Sequence, residues 1–253
     1  MKKLLKNKLK KSMREFKIVL ANILDKFLIK YGDQVGIPPN IQARISHRAT
    51  RKMMDDPEHL YKFWSQSHPH GNYFTPPKWS EKSEAMIRFI SPIVSQNDSI
   101  LEIGCNIGIN LNHLWKSGFQ KLRGVEISKY AVKRLREYYP VLENVIIDIG
   151  PAETRLRDYD SNSFEMVFTM AVLEHIHPES RDLFFEISRI ASKYVLAIEP
   201  SRAHASHRQF PWNIEEEFLE MGLTLIKKQP WISLCERDIS DGLEDYDCFL
   251  FRV

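Results

Sequence analysis

Ile100-Leu-Glu-Ile-Gly-Cys-Asn-Ile-Gly-Ile-Asn110 is the stretch on which the fold turns. It opens as an apolar run carrying one acid, Glu102, passes through a turn bearing Gly104 and Gly108, and enters a helical pattern. An apolar run of this length bounded by glycine predicts a buried strand. The glycines can take backbone conformations closed to other residues and let a ligand come close to the main chain. A glycine pair has many uses, and this one gains meaning from its neighbour along the chain. Leu122-Arg-Gly-Val-Glu126 reads as a second strand whose terminal carboxylate can accept hydrogen bonds from both hydroxyls of a ribose.

Outward from these strands the rhythm continues. Helices are expected over residues 81–95, 109–116, 128–138 and 179–191, alternating with strands over 99–103, 122–126, 145–148, 164–170 and 194–199. Strands joined by helices can pair in parallel only through crossovers, which predicts a doubly wound sheet with ligands beyond the carboxyl ends of its strands. The tail breaks the rhythm: after a helix at 214–221, strand-like runs at 223–232 and 246–253 are joined by a polar, acidic loop without a helix. That arrangement predicts an antiparallel pair at the sheet edge. The expected fold class is α/β, a Rossmann-like doubly wound seven-stranded mixed sheet with an antiparallel C-terminal edge pair and an N-terminal helical extension.

The chain has 253 residues, 43% of them hydrophobic, enough for one full-sized α/β core and an appendage. Its three cysteines, Cys105, Cys235 and Cys248, are far apart and form no C-x-x-C pair, so neither a disulfide framework nor a zinc site is suggested. The net charge of +3 hides an asymmetry: residues 1–30 hold ten Lys and Arg against Glu15 and Asp25, which leaves the remainder mildly acidic. In this arm Leu4, Leu5, Leu9, Met13, Phe16, Leu20, Ile23, Leu24, Phe27 and Leu28 recur at helical spacing between the basic residues, the pattern of an amphipathic helix. Such a helix suits packing on a protein surface or attachment to an anionic membrane face. The acidic body argues against nucleic acid as partner. With no secretory signal or spanning segment in view, the expectation is a cytoplasmic protein, at most peripheral at the inner membrane surface. Residues 1–79 read as this arm plus a connecting segment rich in Pro, His and aromatics, ending in His68-Pro-His-Gly-Asn-Tyr-Phe-Thr-Pro-Pro-Lys-Trp79, and residues 80–253 as the principal domain.

Glu102-Ile-Gly-Cys-Asn-Ile-Gly108 resembles motif I of the class I S-adenosylmethionine-dependent methyltransferases, and Glu126 matches the ribose-binding acid ending their second strand. Phe164-Glu-Met-Val-Phe-Thr-Met-Ala-Val-Leu-Glu-His-Ile-His-Pro178 is similar to the fourth-strand motif of their small-molecule branch, types 11 and 12. The resemblance implies S-adenosyl-L-methionine as cofactor. It implies that Glu102, Gly104, Asn106 and Gly108 hold the methionine end, Glu126 the ribose and Asp148 the adenine edge, with Thr169, Met170 and Ala171 as the pocket floor. Asn106 stands where the family usually has a glycine, and asparagine tolerates left-handed geometry, so the turn is expected to survive. The N/D-P-P-Y/F signature of amino-methyltransferases is absent after the fourth strand.

The activity implied is methyl transfer to an oxygen, less readily a nitrogen or carbon, of a small molecule, sugar or lipid-linked intermediate. An oxygen acceptor needs its proton removed, for which an imidazole is suited. The candidates are His175 after the fourth strand and His204 and His207 after the fifth. No set of Asp, Glu and His shows metal-ligand spacing, so a metal-independent enzyme is expected. Two other readings compete. One is a non-catalytic scaffold acting through the arm. The other is a dinucleotide oxidoreductase, whose G-x-G-x-x-G spacing differs from Gly104 followed by Gly108.

Overall fold

The computed structural model describes residues 57–66, 80–200, 209–236, 243 and 245–253. The basic arm, most of the connecting segment, His204 and His207 therefore lie outside the described residues. Of the described residues, 57–60 fall in one compact unit and the rest in a second. Every element except the first turn of α1 belongs to the second.

Helix α1 (Pro57–Ser65) falls within the stretch read as connecting segment. Pro57 opens it, where a missing N–H costs nothing, with Glu58 in its first turn and Lys62 in its last, matching the helix dipole. Helix α2 (Glu81–Ile90) starts at the N-cap Ser80 and ends sooner than expected, because Pro92 has no N–H with which to continue the helical ladder after Ser91. Then come β1 (Ile100–Ile103), α3 (Ile109–Lys116), β2 (Leu122–Glu126), α4 (Lys129–Tyr138), β3 (Ile146–Ile149), a single helical turn α5 (Ala152–Arg155) and β4 (Phe164–Met170). Helix α6 (Asp182–Ile190), β5 (Ala191–Pro200), α7 (Ile214–Glu220), β6 (Thr224–Pro230) and β7 (Tyr246–Arg252) complete the order. No helix among the described residues is long and apolar enough to cross a membrane.

The strands form one sheet in the order β3-β2-β1-β4-β5-β7-β6. Strands β1 to β5 pair in parallel, and β7 runs antiparallel to both β5 and β6. This is the mixed sheet expected from the sequence. The antiparallel β7 also separates it from the six parallel strands of a dinucleotide fold.

Both faces of the central strands are buried, which is why they read as near-continuous apolar runs. Met166 and Phe168, Leu196 and Ile198, and Cys248 and Leu250 pack on one face with Met86, Ile90, Leu114 and the fully buried Trp231. Val167, Val195 and Ala197, and Phe249 and Phe251 pack on the other with Leu183, Phe184, Ile187 and Phe218. The direction of the connections reverses at β1, so the crevice between the carboxyl ends of β1 and β4 is the topological switch point, where open α/β sheets bind ligands.

Candidate functional site at the strand ends

Glu102 is the last acid of β1 and is 3% exposed. Its Oε1 accepts a hydrogen bond of 2.8 Å from the side-chain amide of Asn110 in the first turn of α3. Its Oε2 is buried with no hydrogen-bond partner among the described residues. Burial pushes the carboxyl up to about 8, and the charge of Glu126 adds to the shift, while the Asn110 amide and the Leu111 N–H pull the other way. A carboxylate held in this way is short of a cation.

The turn after β1 carries three left-handed residues, Gly104 (φ 72°), Asn106 (φ 48°) and Gly108 (φ 77°). The expectation that asparagine would keep the turn is met, and the Asn106 N–H donates to Glu126 Oε2 at 2.8 Å. Glu126 Oε1 accepts from the Ser128 N–H, also at 2.8 Å. Burial raises the Glu126 carboxyl, and the N–H donors of Ser128, Asn106 and Ile127 counter it. Each carboxylate oxygen has about two acceptor positions, so the carboxylate can take further donors. Asn106 Oδ1 is a second buried acceptor without a partner among the described residues.

The glycines serve the protein's own packing. A Cβ on Gly104 would lie 2.5 Å from Val172 Cγ2, and one on Gly108 would lie 2.6 Å from Leu135 Cδ1. Gly104 thus seats the turn after β4 against the turn after β1.

The three residues expected as pocket floor stand where β4 ends and this second turn begins. Thr169 is buried and Met170 half-buried, its sulfur 3.8 Å from the Asn110 amide nitrogen. Ala171 has φ 56°, a conformation costing a non-glycine residue roughly 1–2 kcal/mol, and its N–H still donates to the Ile198 carbonyl. Glu199, ending β5 and fully buried, holds the turn in place: the Val172 N–H reaches its two carboxylate oxygens at 3.1 and 3.2 Å. Burial raises the Glu199 carboxyl to about 7, against the pull of the Leu173 and Val172 amides. Glu174 beside it accepts from the Tyr246 hydroxyl and the Gln209 amide. Sequence reasoning missed Glu199, although an acid closing a buried apolar strand is the signal that found Glu102 and Glu126.

His175 Nε2 lies 3.6 Å from Glu174 Oε1, and its ring meets the Trp64 ring at 4.4 Å between centroids. His177 serves the local backbone, because its Nδ1 accepts from the Glu179 N–H and caps the turn at Pro178–Ser180. Asp148 does not join the group. Its register partner in β2 is Val125, so it faces the opposite side of the sheet from Glu126. There Arg123 clasps both its oxygens at 2.7 and 3.1 Å and the Tyr159 hydroxyl donates to it; burial opposes, but these partners hold its carboxyl below the ordinary range. The ion pair between Arg123 and Asp148 ties β2 to β3 at this edge of the sheet. Among the described residues no group of three or more His, Cys, Asp or Glu is placed to hold a metal ion.

Residues 101–196 match the family model described as a methyltransferase domain. No curated protein matches the sequence. Among solved structures, the chain resembles geranyl diphosphate C-methyltransferase from Streptomyces coelicolor A3(2), with 13% identity, a TM-score of 0.54, and coverage of 77% of this chain and 96% of that one. It resembles magnesium protoporphyrin IX methyltransferase from Synechocystis PCC 6803, solved with bound S-adenosylmethionine, at 12% identity and a TM-score of 0.54, covering 68% and 78%. It also resembles the cyclase SpnF, at 13% identity and a TM-score of 0.56, covering 80% and 96%. Likeness at this level concerns the fold, and the cyclase among the three illustrates that fold alone does not set the reaction.

Proposed function

We propose that residues 101–196, which match a methyltransferase-domain family model, form the core of a class I S-adenosylmethionine-dependent methyltransferase, and that the protein methylates an oxygen of a small molecule, sugar or lipid-linked intermediate. Residues 80–253 act as its catalytic domain. The observation that carries the cofactor site is the Oε2 of Glu102 at the switch point, buried without a hydrogen-bond partner among the described residues. Together with Asn106 Oδ1 it offers acceptors to a ligand bearing an ammonium group, while Glu126 offers acceptors to ribose hydroxyls. Met170 and Ala171 form the floor beside them, and Gly104 and Gly108 shape the turn.

When bound, S-adenosylmethionine supplies a methyl group already activated by its sulfonium. The protein has then to align the acceptor, exclude water and receive a proton. His175 is the candidate base among the described residues, standing after the fourth strand with its Nε2 3.6 Å from Glu174 Oε1. His204 and His207 remain candidates from sequence.

The test is incubation with methyl-labelled S-adenosylmethionine and separate panels of hydroxyl, amine and carbon acceptors. Label is expected in a hydroxyl acceptor, with S-adenosylhomocysteine formed in equal amount. Transfer to amines alone would overturn the oxygen assignment. Tight cofactor binding without turnover on any panel would favour a scaffold.

The state of Glu102 makes a second prediction. Its carboxyl is raised to about 8, so it is largely protonated below that pH. An ammonium ligand requires the charged form, so binding expels a proton and tightens as pH rises, levelling above about 8. Calorimetry of S-adenosylhomocysteine at pH 6.5 in two buffers of different ionisation enthalpy should show about one proton released by the wild type and about none by Glu102→Gln. The ligand-free protein should show the reverse trend. A carboxyl raised on folding contributes stability that is full below 4.5 and lost as pH climbs towards 8, so wild type should lose melting temperature relative to Glu102→Gln across that window. Equal proton release by both proteins would remove Glu102 from the ligand's ammonium.

A further inference from the structure

Four side chains form a line that ends on Glu102. Ser80 Oγ and Ser83 Oγ are 2.9 Å apart, Ser83 Oγ is 2.7 Å from Asn110 Oδ1, and Asn110 Nδ2 is 2.8 Å from Glu102 Oε1. The protons along it can be placed. In the ionised form that an ammonium ligand requires, the Glu102 carboxylate can only accept, so the Asn110 amide presents its NH2 to Glu102 and its oxygen to Ser83. Ser83 has one hydroxyl proton and gives it to that oxygen, so its bond with Ser80 must be donated by Ser80. Every donor therefore points towards the carboxylate. The second hydrogen of the Asn110 amide faces Met170 Sδ at 3.8 Å, so one nitrogen touches both the acid and the pocket floor.

Ser80 and Ser83 are buried, and Ser80 is the N-cap of α2, whose start fixes the far end of the line. The near end pins one Glu102 oxygen and leaves the other buried without a partner among the described residues. Had the amide turned over, its oxygen would face the carboxylate and repel it. Ser83 prevents this by donating to the amide oxygen.

We infer that Asn110, held by Ser83, is a positioning residue that aims the free oxygen of Glu102 at the ammonium group of the bound ligand, and so sets this pocket's preference for ligands that carry the amino-acid part. The inference rests on the cofactor reading proposed for this site. Neither side chain hydrogen-bonds Glu126, the acid proposed for the ribose, which takes its donors from Asn106 and Ser128, so the effect of replacing them is expected to be selective. Disruption of the turn itself would weaken every ligand of the pocket alike.

The experiment titrates the full chain with two probes, S-adenosylhomocysteine and 5′-methylthioadenosine, which keeps the nucleoside and lacks the amino acid. Asn110→Leu is expected to weaken S-adenosylhomocysteine about 10- to 100-fold, the worth of a hydrogen bond to a charged group, and to change methylthioadenosine by less than about 2-fold. Ser83→Ala, which leaves the Ser80 cap in place, should act in the same direction with a smaller loss, and it carries the test if Asn110→Leu does not fold. Equal weakening of both probes, or no change in either, overturns the inference while leaving the cofactor site standing. A wild type that binds neither probe overturns the cofactor reading and this inference with it.

Discussion

Glu126→Ala is expected to lower affinity for S-adenosylmethionine and S-adenosylhomocysteine by roughly 10²- to 10⁴-fold while leaving the protein folded. The magnitude follows from two hydroxyl-to-carboxylate hydrogen bonds at about 1.5–3 kcal/mol each. A second effect adds to it. The same carboxylate accepts the N–H groups of Asn106 and Ser128, both at 2.8 Å, so its removal loosens a left-handed residue of the first turn and the N-terminus of α4. Stability changes less than binding does. Two backbone donors lose their partner, at about 1–3 kcal/mol each, but the desolvation that raises the Glu126 carboxyl is also relieved. Calorimetric titration beside a thermal melt separates the two effects. An affinity within about 3-fold of wild type, in a protein that melts normally, would mean that the ribose is held elsewhere.

Much of this site is legible in the sequence because the fold puts chemistry where strands stop. Glu102 and Glu126 each close an apolar run, and the order of strands and helices places both at one edge of the sheet. Asn106 could be read as a left-handed residue because its side chain tolerates that conformation. Asp148 closes a strand too, yet its neighbours are Arg123 and Tyr159, and which sheet face it takes depends on pairing register with β2, which spacing along the chain does not specify. The line from Ser80 to Glu102 was hidden for a related reason. It joins residues 3, 27 and 8 positions apart, on two helices and a strand, and each is an ordinary polar residue until packing brings them together. Glu199 belongs to the same class as Glu102 by sequence, but its role in holding the turn after β4 emerges only when β4 and β5 lie side by side.

The Gly104→Ala substitution should destabilise the protein by about 2–5 kcal/mol, which for a domain of this size is roughly 4–20 °C in melting temperature. Part of this cost is conformational: φ of 72° burdens any residue with a Cβ by about 1–2 kcal/mol. The rest is steric, since the new Cβ would stand 2.5 Å from Val172 Cγ2. Val172 has little freedom to yield, because its N–H is held by the fully buried Glu199 and the residue before it is itself left-handed. The two parts can be separated. Shortening Val172 to alanine removes the clashing methyl and leaves its Cβ at 3.5 Å, an ordinary contact, so the Gly104→Ala/Val172→Ala pair should be less damaging than the sum of the single changes by about 1–3 kcal/mol. The conformational cost should persist in the pair. Strict additivity would mean that the turns after β1 and β4 do not meet at Gly104, and the crevice between these strand ends would then lack the wall on which the cofactor site depends.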